Sequence, residues 1–243
     1  MAFQNKVLLN FFKGLFLLMD SLKLILDGIR EGDKNGGPTE LAKILTSSLI
    51  ESNGFNKNDL IKRYYQWFNT GAFDTGPTFE MVFQKVSQGV SIENAVIQVN
   101  DQLNGATAGC APAHRVAPLA GFSVIPTHRL IDLARQEAKI THYHPDAGNC
   151  SAIMVLLCRH LLEKNSWKEA KKLVSENLEL KETWKKIMNA ELNKGGYVLN
   201  VMHSAIHFLD NDNSLEKSLN FAGPANYCPV IVGIIDKIRK NYD

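Results

Sequence analysis

The sequence has 243 residues, of which 45% are hydrophobic and 21% are charged, a composition typical of globular proteins. Its 27 basic and 25 acidic residues give a formal net charge of +2, and no run of lysine and arginine favours a nucleic-acid partner. A chain of this length buries roughly three-quarters of its unfolded surface, which suits one large domain or two smaller ones.

The apolar N-terminal stretch, residues 7–26, resembles a targeting signal at first sight. Asn10, Lys13 and Asp20 interrupt it, and no cleavage pattern of small residues follows. Its apolar residues recur at spacings of three and four, which predicts a helix that faces the core. We therefore expect a cytoplasmic protein with no membrane partner.

Helical spacing continues beyond the turn residues that end this first helix. Thr39, Asn58 and Ser91 are predicted to cap three of the following helices. The predicted helices after the first one, including these three, are residues 41–51, the segment after Asn58, and 79–88, 92–103, 127–140, 152–162, 166–177, 181–192, 197–209, 214–221 and 229–238. No segment alternates as a strand does, so we predict an all-α protein with a single domain, residues 1–243.

Residues 141–164 stand out because a polar half precedes a strongly apolar half. Residues 152–162 are apolar on nearly every face, which predicts a helix buried on most sides but too short, by roughly half, to span a bilayer. Pro145 suits the first turn of this helix. The polar cluster that contains His142 is therefore predicted to lie where backbone N–H groups are free to hold an anion or a polar ligand.

Five loops concentrate small and polar residues that helix packing does not explain. They cover residues 32–40, 72–77, 105–115, 142–149 and 222–228. Sites in helical proteins are commonly assembled between helices, so we predict that these loops converge on a ligand site. Taken singly, each loop is also an ordinary turn.

Histidine and aspartate side chains are the candidates for chemistry in these loops. His142 is predicted to hydrogen-bond a ligand, whereas His142 and His144 lack a third residue at the spacing that a zinc site needs. Asp33 and Asp74 are candidate general bases, although a single aspartate in a loop more often caps a helix or a turn.

The four cysteines are scattered without metal-binding spacing. They are Cys110, Cys150, Cys158 and Cys228. Cys110 and Cys228 lie in loops and are candidate nucleophiles, but no local signature supports that role. Free thiols in a reducing compartment are the simpler interpretation.

Four stretches resemble the ADP-ribosylglycohydrolase family, and the likeness runs from about residue 32 to residue 233. Residues 32–40, GDKNGGPTE, are similar to its early Gly-Asp…Gly-x-Pro-x-Glu segment. Residues 41–75 resemble the helix pair and loop that follow its metal-binding Thr-Asp-Asp motif. Residues 108–119, AGCAPAHRVAPL, are similar to a loop whose arginine lines the ADP-ribose pocket, and residues 140–142 resemble its Thr-His segment.

The resemblance implies one orthogonally packed all-α domain that cleaves ADP-ribose from modified side chains with paired Mg²⁺ ions. Its ligand or substrate would be a small molecule of the ADP-ribose type or an ADP-ribosylated molecule. The resemblance and the loops together assign ligand contacts to Gly109, Cys110, His114, Arg115, His142 and Asn226. Asp33 and Asp74 are the corresponding catalytic candidates.

The sequence departs from the family where aspartates hold the metal ions. Two neighbouring aspartates precede the second helix in the family, and this place reads Gly36-Gly37-Pro38 here. A second aspartate pair falls on residues 224–227, PANY, in which Asn226 is a neutral ligand. Asp33 is the one family aspartate that is kept as a candidate metal ligand, so we expect the Mg²⁺ site to be degenerate.

Three functions remain open at this stage. The first is a hydrolase of an ADP-ribosyl or related glycosidic bond, in which Asp33 or Asp74 is the base and His142 holds the ligand. The second is an inactive module that binds ADP-ribose or a nucleotide. The third is a structural use of the fold, as in the lens crystallins of the same family.

Overall fold

The computed structural model describes residues 2–33, 36–211 and 214–242, without the side chains of 2–13 and 15. These residues form an all-helical domain, as the sequence predicts, and a single bridge between Gly109 and Tyr197 is their β-type pairing. The helices are α1 (Ala2–Asp33), α2 (Gly37–Glu51), α3 (Lys57–Asn69), α4 (Pro77–Ser87), α5 (Ile92–Gln102), α6 (Ala111–Arg115), α7 (Pro118–Gly121), α8 (Leu130–Ala138), α9 (Pro145–Leu162), α10 (Trp167–Ser175), α11 (Lys181–Met188), α12 (Val198–Leu209), α13 (Ser214–Phe221) and α14 (Cys228–Tyr242), with a 3-10 helix at Thr127–Arg129.

Two of the predicted caps are wrong, and one is confirmed. Thr39 lies inside α2, whose N-cap is Gly36, and the side chain of Asn56 rather than Asn58 caps α3 by accepting from the amide of Asp59. Ser91 caps α5 as predicted, because its hydroxyl accepts from an amide one turn later. The predicted loop 105–115 also contains the short helix α6.

The central helix α9 is buried as its sequence predicts. Every residue from Ala152 to Arg159 is buried, and Pro145 occupies the first turn. Arg159, near the end of the helix, donates to the backbone oxygens of Ala120, Ile125 and Phe122, so the charge is held by carbonyl dipoles. This contact ties α9 to the turn that follows α7.

Helices α1 and α14 run in opposite directions and touch through their backbones. A Cβ on Gly28 would lie 2.6 Å from the oxygen of Gly233, and a Cβ on Gly32 would lie 2.3 Å from the oxygen of Pro229. Such distances admit only glycine, because the opposing atoms belong to the main chain and cannot turn aside. The end of α1 is thereby fixed beside the beginning of α14.

Within the described residues, no helix combines the length and the apolar character that crossing a bilayer needs.

Candidate functional site

A cavity of about 850 Å³ opens where the helix ends meet, and all five predicted loops contribute to its wall. Pro38, Asp74, Gly109, His142 and Tyr227 represent the five loops in turn. The convergence that the sequence analysis predicted is therefore present. The volume lies within the range of small-molecule pockets, roughly 300–1,000 Å³.

The loop that contains Asp74 is pressed against the N-terminus of α2. The amide of Gly37 donates to Asp74 Oδ2 at 3.1 Å. A Cβ on Gly36 would lie 2.5 Å from Asp74 Oδ2, and one on Gly37 would lie 2.1 Å from the backbone oxygen of Asp74. The two glycines are needed for this close approach, and Asp74 itself has a left-handed φ of 51°.

Asp33 also accepts hydrogen bonds at the N-terminus of α2. Its Oδ2 accepts from the Thr39 amide at 2.7 Å, and its Oδ1 accepts from the Thr39 hydroxyl at 2.6 Å. Asp33 is not among the residues that line the cavity, whereas Asp74 is. Both candidate bases therefore accept hydrogen bonds at the N-terminus of α2, where the helix dipole favours negative charge.

Tyr227 connects the carboxylate of Asp74 to His114, and all three residues line the cavity. Its hydroxyl donates to Asp74 Oδ1, and its ring centroid lies 5.4 Å from that of His114 at an interplanar angle of 37°. Burial, followed by the hydrogen bond to Asp74, raises the pKa of the Tyr227 hydroxyl. Burial lowers the pKa of His114 to about 3, so this imidazole is neutral at physiological pH.

His142 lines the cavity and is almost completely buried. Its Nδ1 lies 2.8 Å from the hydroxyl oxygen of Thr141. Burial, followed by the nearby charge of Arg115, places the pKa of His142 well below its usual value. The side chain therefore meets the cavity as a neutral imidazole.

Arg115 lies behind the cavity wall rather than on it. Its side chain is wholly buried, and its Nε donates to Glu137 Oε1 at 2.7 Å. The same carboxylate oxygen accepts from the Tyr64 hydroxyl at 2.8 Å, and the guanidinium lies over the Tyr64 ring. The predicted ligand contact of Arg115 is thus replaced in the structure by a buried ion pair with α8.

Asn226 is also buried and lies outside the lining of the cavity. Its Nδ2 donates to the backbone oxygen of Asn193 at 2.7 Å, and its Oδ1 accepts from the Cys228 amide at 2.9 Å. The amide side chain therefore fixes the start of α14. It occupies the position that the resemblance gives to a metal-binding aspartate.

Cys110 and Cys228 differ in their relation to the cavity, which Cys110 lines and Cys228 does not. Burial raises the pKa of the Cys110 thiol to about 11 and that of Cys228 to about 12. Neither thiol is activated for nucleophilic attack near neutral pH, because a thiolate is the reactive form.

Tyr197 also lines the cavity, although no sequence motif singled it out. Its hydroxyl donates to Asp146 Oδ2 at 2.9 Å, and Lys186 donates to the other oxygen at 3.2 Å. His144 lies alongside and caps α9 by accepting from the amide of Asp146.

The donor atoms around the cavity do not suit the paired Mg²⁺ ions that the resemblance implies. Glycines stand where the first aspartate pair is expected, and the carboxylates of Asp33 and Asp74 already accept backbone hydrogen bonds. Two Mg²⁺ ions need several oxygen ligands in near-octahedral geometry. In the described part of the chain, no three His, Cys, Asp or Glu side chains are grouped to hold a metal ion.

Comparisons with known proteins agree with this architecture. The family model described as ADP-ribosylglycohydrolase matches residues 27–233. A solved structure titled "ADP-ribosylglycohydrolase-related protein complex" shares the fold with a TM-score of 0.66 and 18% identity, over 90% of this chain and 85% of that chain. No curated protein sequence matches significantly. Because the family model covers most of the sequence, this chain belongs to the ADP-ribosylglycohydrolase family.

Proposed function

We propose that the protein binds a small molecule of the ADP-ribose type in this cavity without a Mg²⁺ ion and without cleaving it. The main support for the proposal is that Asp33 and Asp74 accept hydrogen bonds from backbone amides at the N-terminus of α2. This helix end lies beside a cavity of about 850 Å³. The ligand class is taken from the family to which the chain belongs. Binding without metal is proposed because the carboxylates of Asp33 and Asp74 already accept hydrogen bonds from backbone amides.

The cavity wall supports binding through neutral donors and apolar contacts. His114 and His142 are neutral, and Tyr197 and Tyr227 are two aromatic side chains of the lining. A base or a sugar ring can pack against such surfaces, and stacking on an aromatic side chain contributes about 1–3 kcal/mol per base.

Hydrolysis of an ADP-ribosyl or related glycosidic bond is the second candidate. It is favoured by Asp74, a carboxylate that lines the cavity and accepts from the Tyr227 hydroxyl. Glycosidic hydrolysis ordinarily uses two carboxyl groups that flank the bond, and Asp33 lies outside the cavity lining. Binding without cleavage is therefore the better-supported function.

Calorimetric titration of ADP-ribose in EDTA, and again in Mg²⁺, tests the proposal. Ala106 is exposed and lines the cavity, so Ala106→Trp is expected to fill the opening and to raise Kd by roughly tenfold or more, about 1.4 kcal/mol. Gln98→Trp, at an exposed position of α5 outside the cavity, is the matched control.

The expected result is binding in EDTA that Ala106→Trp weakens by roughly tenfold or more and Gln98→Trp preserves. Absence of binding in both buffers would overturn the proposal. Binding that needs Mg²⁺, together with release of free ADP-ribose from an ADP-ribosylated peptide, would establish the hydrolase instead.

A further inference from the structure

A buried chain of polar groups ends at the ring of His142. Arg115 and Glu137 form an ion pair at 2.7 Å, and both side chains are completely buried. Arg115 Nη2 then donates to the hydroxyl oxygen of Thr141 at 2.9 Å, and that oxygen lies 2.8 Å from His142 Nδ1. Thr141 is therefore the link between a fixed cation and a histidine of the cavity.

The direction of the Thr141 hydroxyl bond follows from its two partners. A guanidinium has donors and no acceptor, so the contact from Arg115 occupies a lone pair of the hydroxyl oxygen. The residue is buried, and an unsatisfied buried hydroxyl hydrogen costs about 1–3 kcal/mol. Among the described residues, His142 Nδ1 is the other polar atom bonded to this hydroxyl, and a lone pair on that nitrogen accepts its hydrogen.

The opposite ring nitrogen then has to carry the hydrogen. A neutral imidazole holds one hydrogen, and an accepting Nδ1 places it on Nε2. A Cβ on Gly109 would lie 3.0 Å from Nε2, so glycine at this position keeps a side chain from crowding the nitrogen. Gly109 and His142 both line the cavity.

We infer that Thr141 is a positioning residue, which holds His142 as the Nε2–H tautomer and directs that N–H into the cavity. The ligand must then present a hydrogen-bond acceptor beside Gly109, such as a carbonyl, hydroxyl or phosphate oxygen. A ligand that offers only donors at this point is disfavoured, because it would leave a buried N–H without a partner. The inference concerns the protein without ligand and holds whichever function the cavity has.

Nitrogen-15 NMR of the histidine side chains tests the inference directly. Protonated and unprotonated ring nitrogens resonate far apart, so the spectrum reports the tautomer. The signals of His142 are identified by their loss in His142→Asn. We expect Nε2 protonated in the wild-type protein and in Thr141→Ser, which keeps the hydroxyl. In Thr141→Val no hydroxyl hydrogen occupies the lone pair of Nδ1, so we expect a mixture with a larger share of the Nδ1–H tautomer.

A merely structural role for Thr141 would change stability in Thr141→Val and leave the tautomer as it was, and that result would overturn the inference. A wild-type spectrum with the hydrogen on Nδ1 would overturn it without any variant. Thr141→Ala replaces Thr141→Val if the latter does not fold. The spectra are recorded without ligand, so failure of ADP-ribose binding is a separate result from failure of the tautomer assignment.

Discussion

Gly37→Ala tests the packing between the N-terminus of α2 and the loop that contains Asp74. The added Cβ would lie 2.1 Å from the backbone oxygen of Asp74 and 2.8 Å from that of Phe73. Neither atom can rotate away, so the loop must shift. Overpacking of this kind costs about 1–3 kcal/mol. The shift also weakens the bond from the Gly37 amide to the Asp74 carboxylate, a charged hydrogen bond that contributes about 1.5–3 kcal/mol.

The expected loss is about 3–5 kcal/mol in the free energy of unfolding, measured by urea denaturation. At about 2–4 °C per kcal/mol for a chain of this size, Tm falls by roughly 10 °C. Gly14→Ala is the control, because nothing lies within 4 Å of a Cβ there and alanine stabilises a helix by up to about 1 kcal/mol.

A free energy of unfolding for Gly37→Ala that lies within about 1 kcal/mol of the wild-type value, on the order of one weak hydrogen bond, would refute the packing argument. Gly37→Asp extends the test, because it restores a carboxylate where the family resemblance places one. The side chain meets the same backbone atoms, so we expect destabilisation and no rise in Tm with Mg²⁺.

Three further predictions concern the buried charges and the helix contact. Glu137→Gln leaves the buried guanidinium without its counter-charge and should cost about 3–5 kcal/mol by urea denaturation; a loss below about 1 kcal/mol would contradict the ion pair. The folded-state pKa values of His114 and His142 lie below their unfolded value near 6.5, so the unfolded chain gains protons first on acidification. Stability should therefore fall between pH 6.5 and 5 by up to about 1.4 kcal/mol per pH unit per histidine, and a flat urea profile there would argue against it. Gly233→Ala should lower Tm through a 2.3 Å contact with a backbone oxygen, whereas an unchanged melting curve would show that α1 and α14 are less closely packed.

The periodicity of the sequence was sufficient to predict the helices and the convergence of the five loops on one cavity. Residues 152–162 are apolar on nearly every face, so we expect such a helix to lie at the centre of the fold. The five loops converge because they join helices around that central element. His142 could be predicted for the same reason, since it precedes the N-terminus of α9.

The partners of polar side chains could not be predicted, because they depend on contacts between distant segments. Arg115 was expected at the cavity, yet Glu137 of α8 pairs with it inside the core. Thr39 was expected to cap α2, but the carboxylate of Asp33 accepts from its amide instead. Asp74 reaches the same helix end from a loop 37 residues away, a contact that no local pattern encodes.

The close contact between α1 and α14 has a consequence for how the chain acquires its fold. The glycines that meet across it are separated by roughly two hundred residues, so loop closure opposes this contact early in folding. On the ribosome, α1 leaves the exit tunnel long before its partner has been translated. Its core residues Leu22, Ile25 and Ile29 therefore lack their α14 partners until the end of translation. A partly folded chain that exposes such apolar side chains is prone to aggregation, and chaperones protect intermediates of this kind.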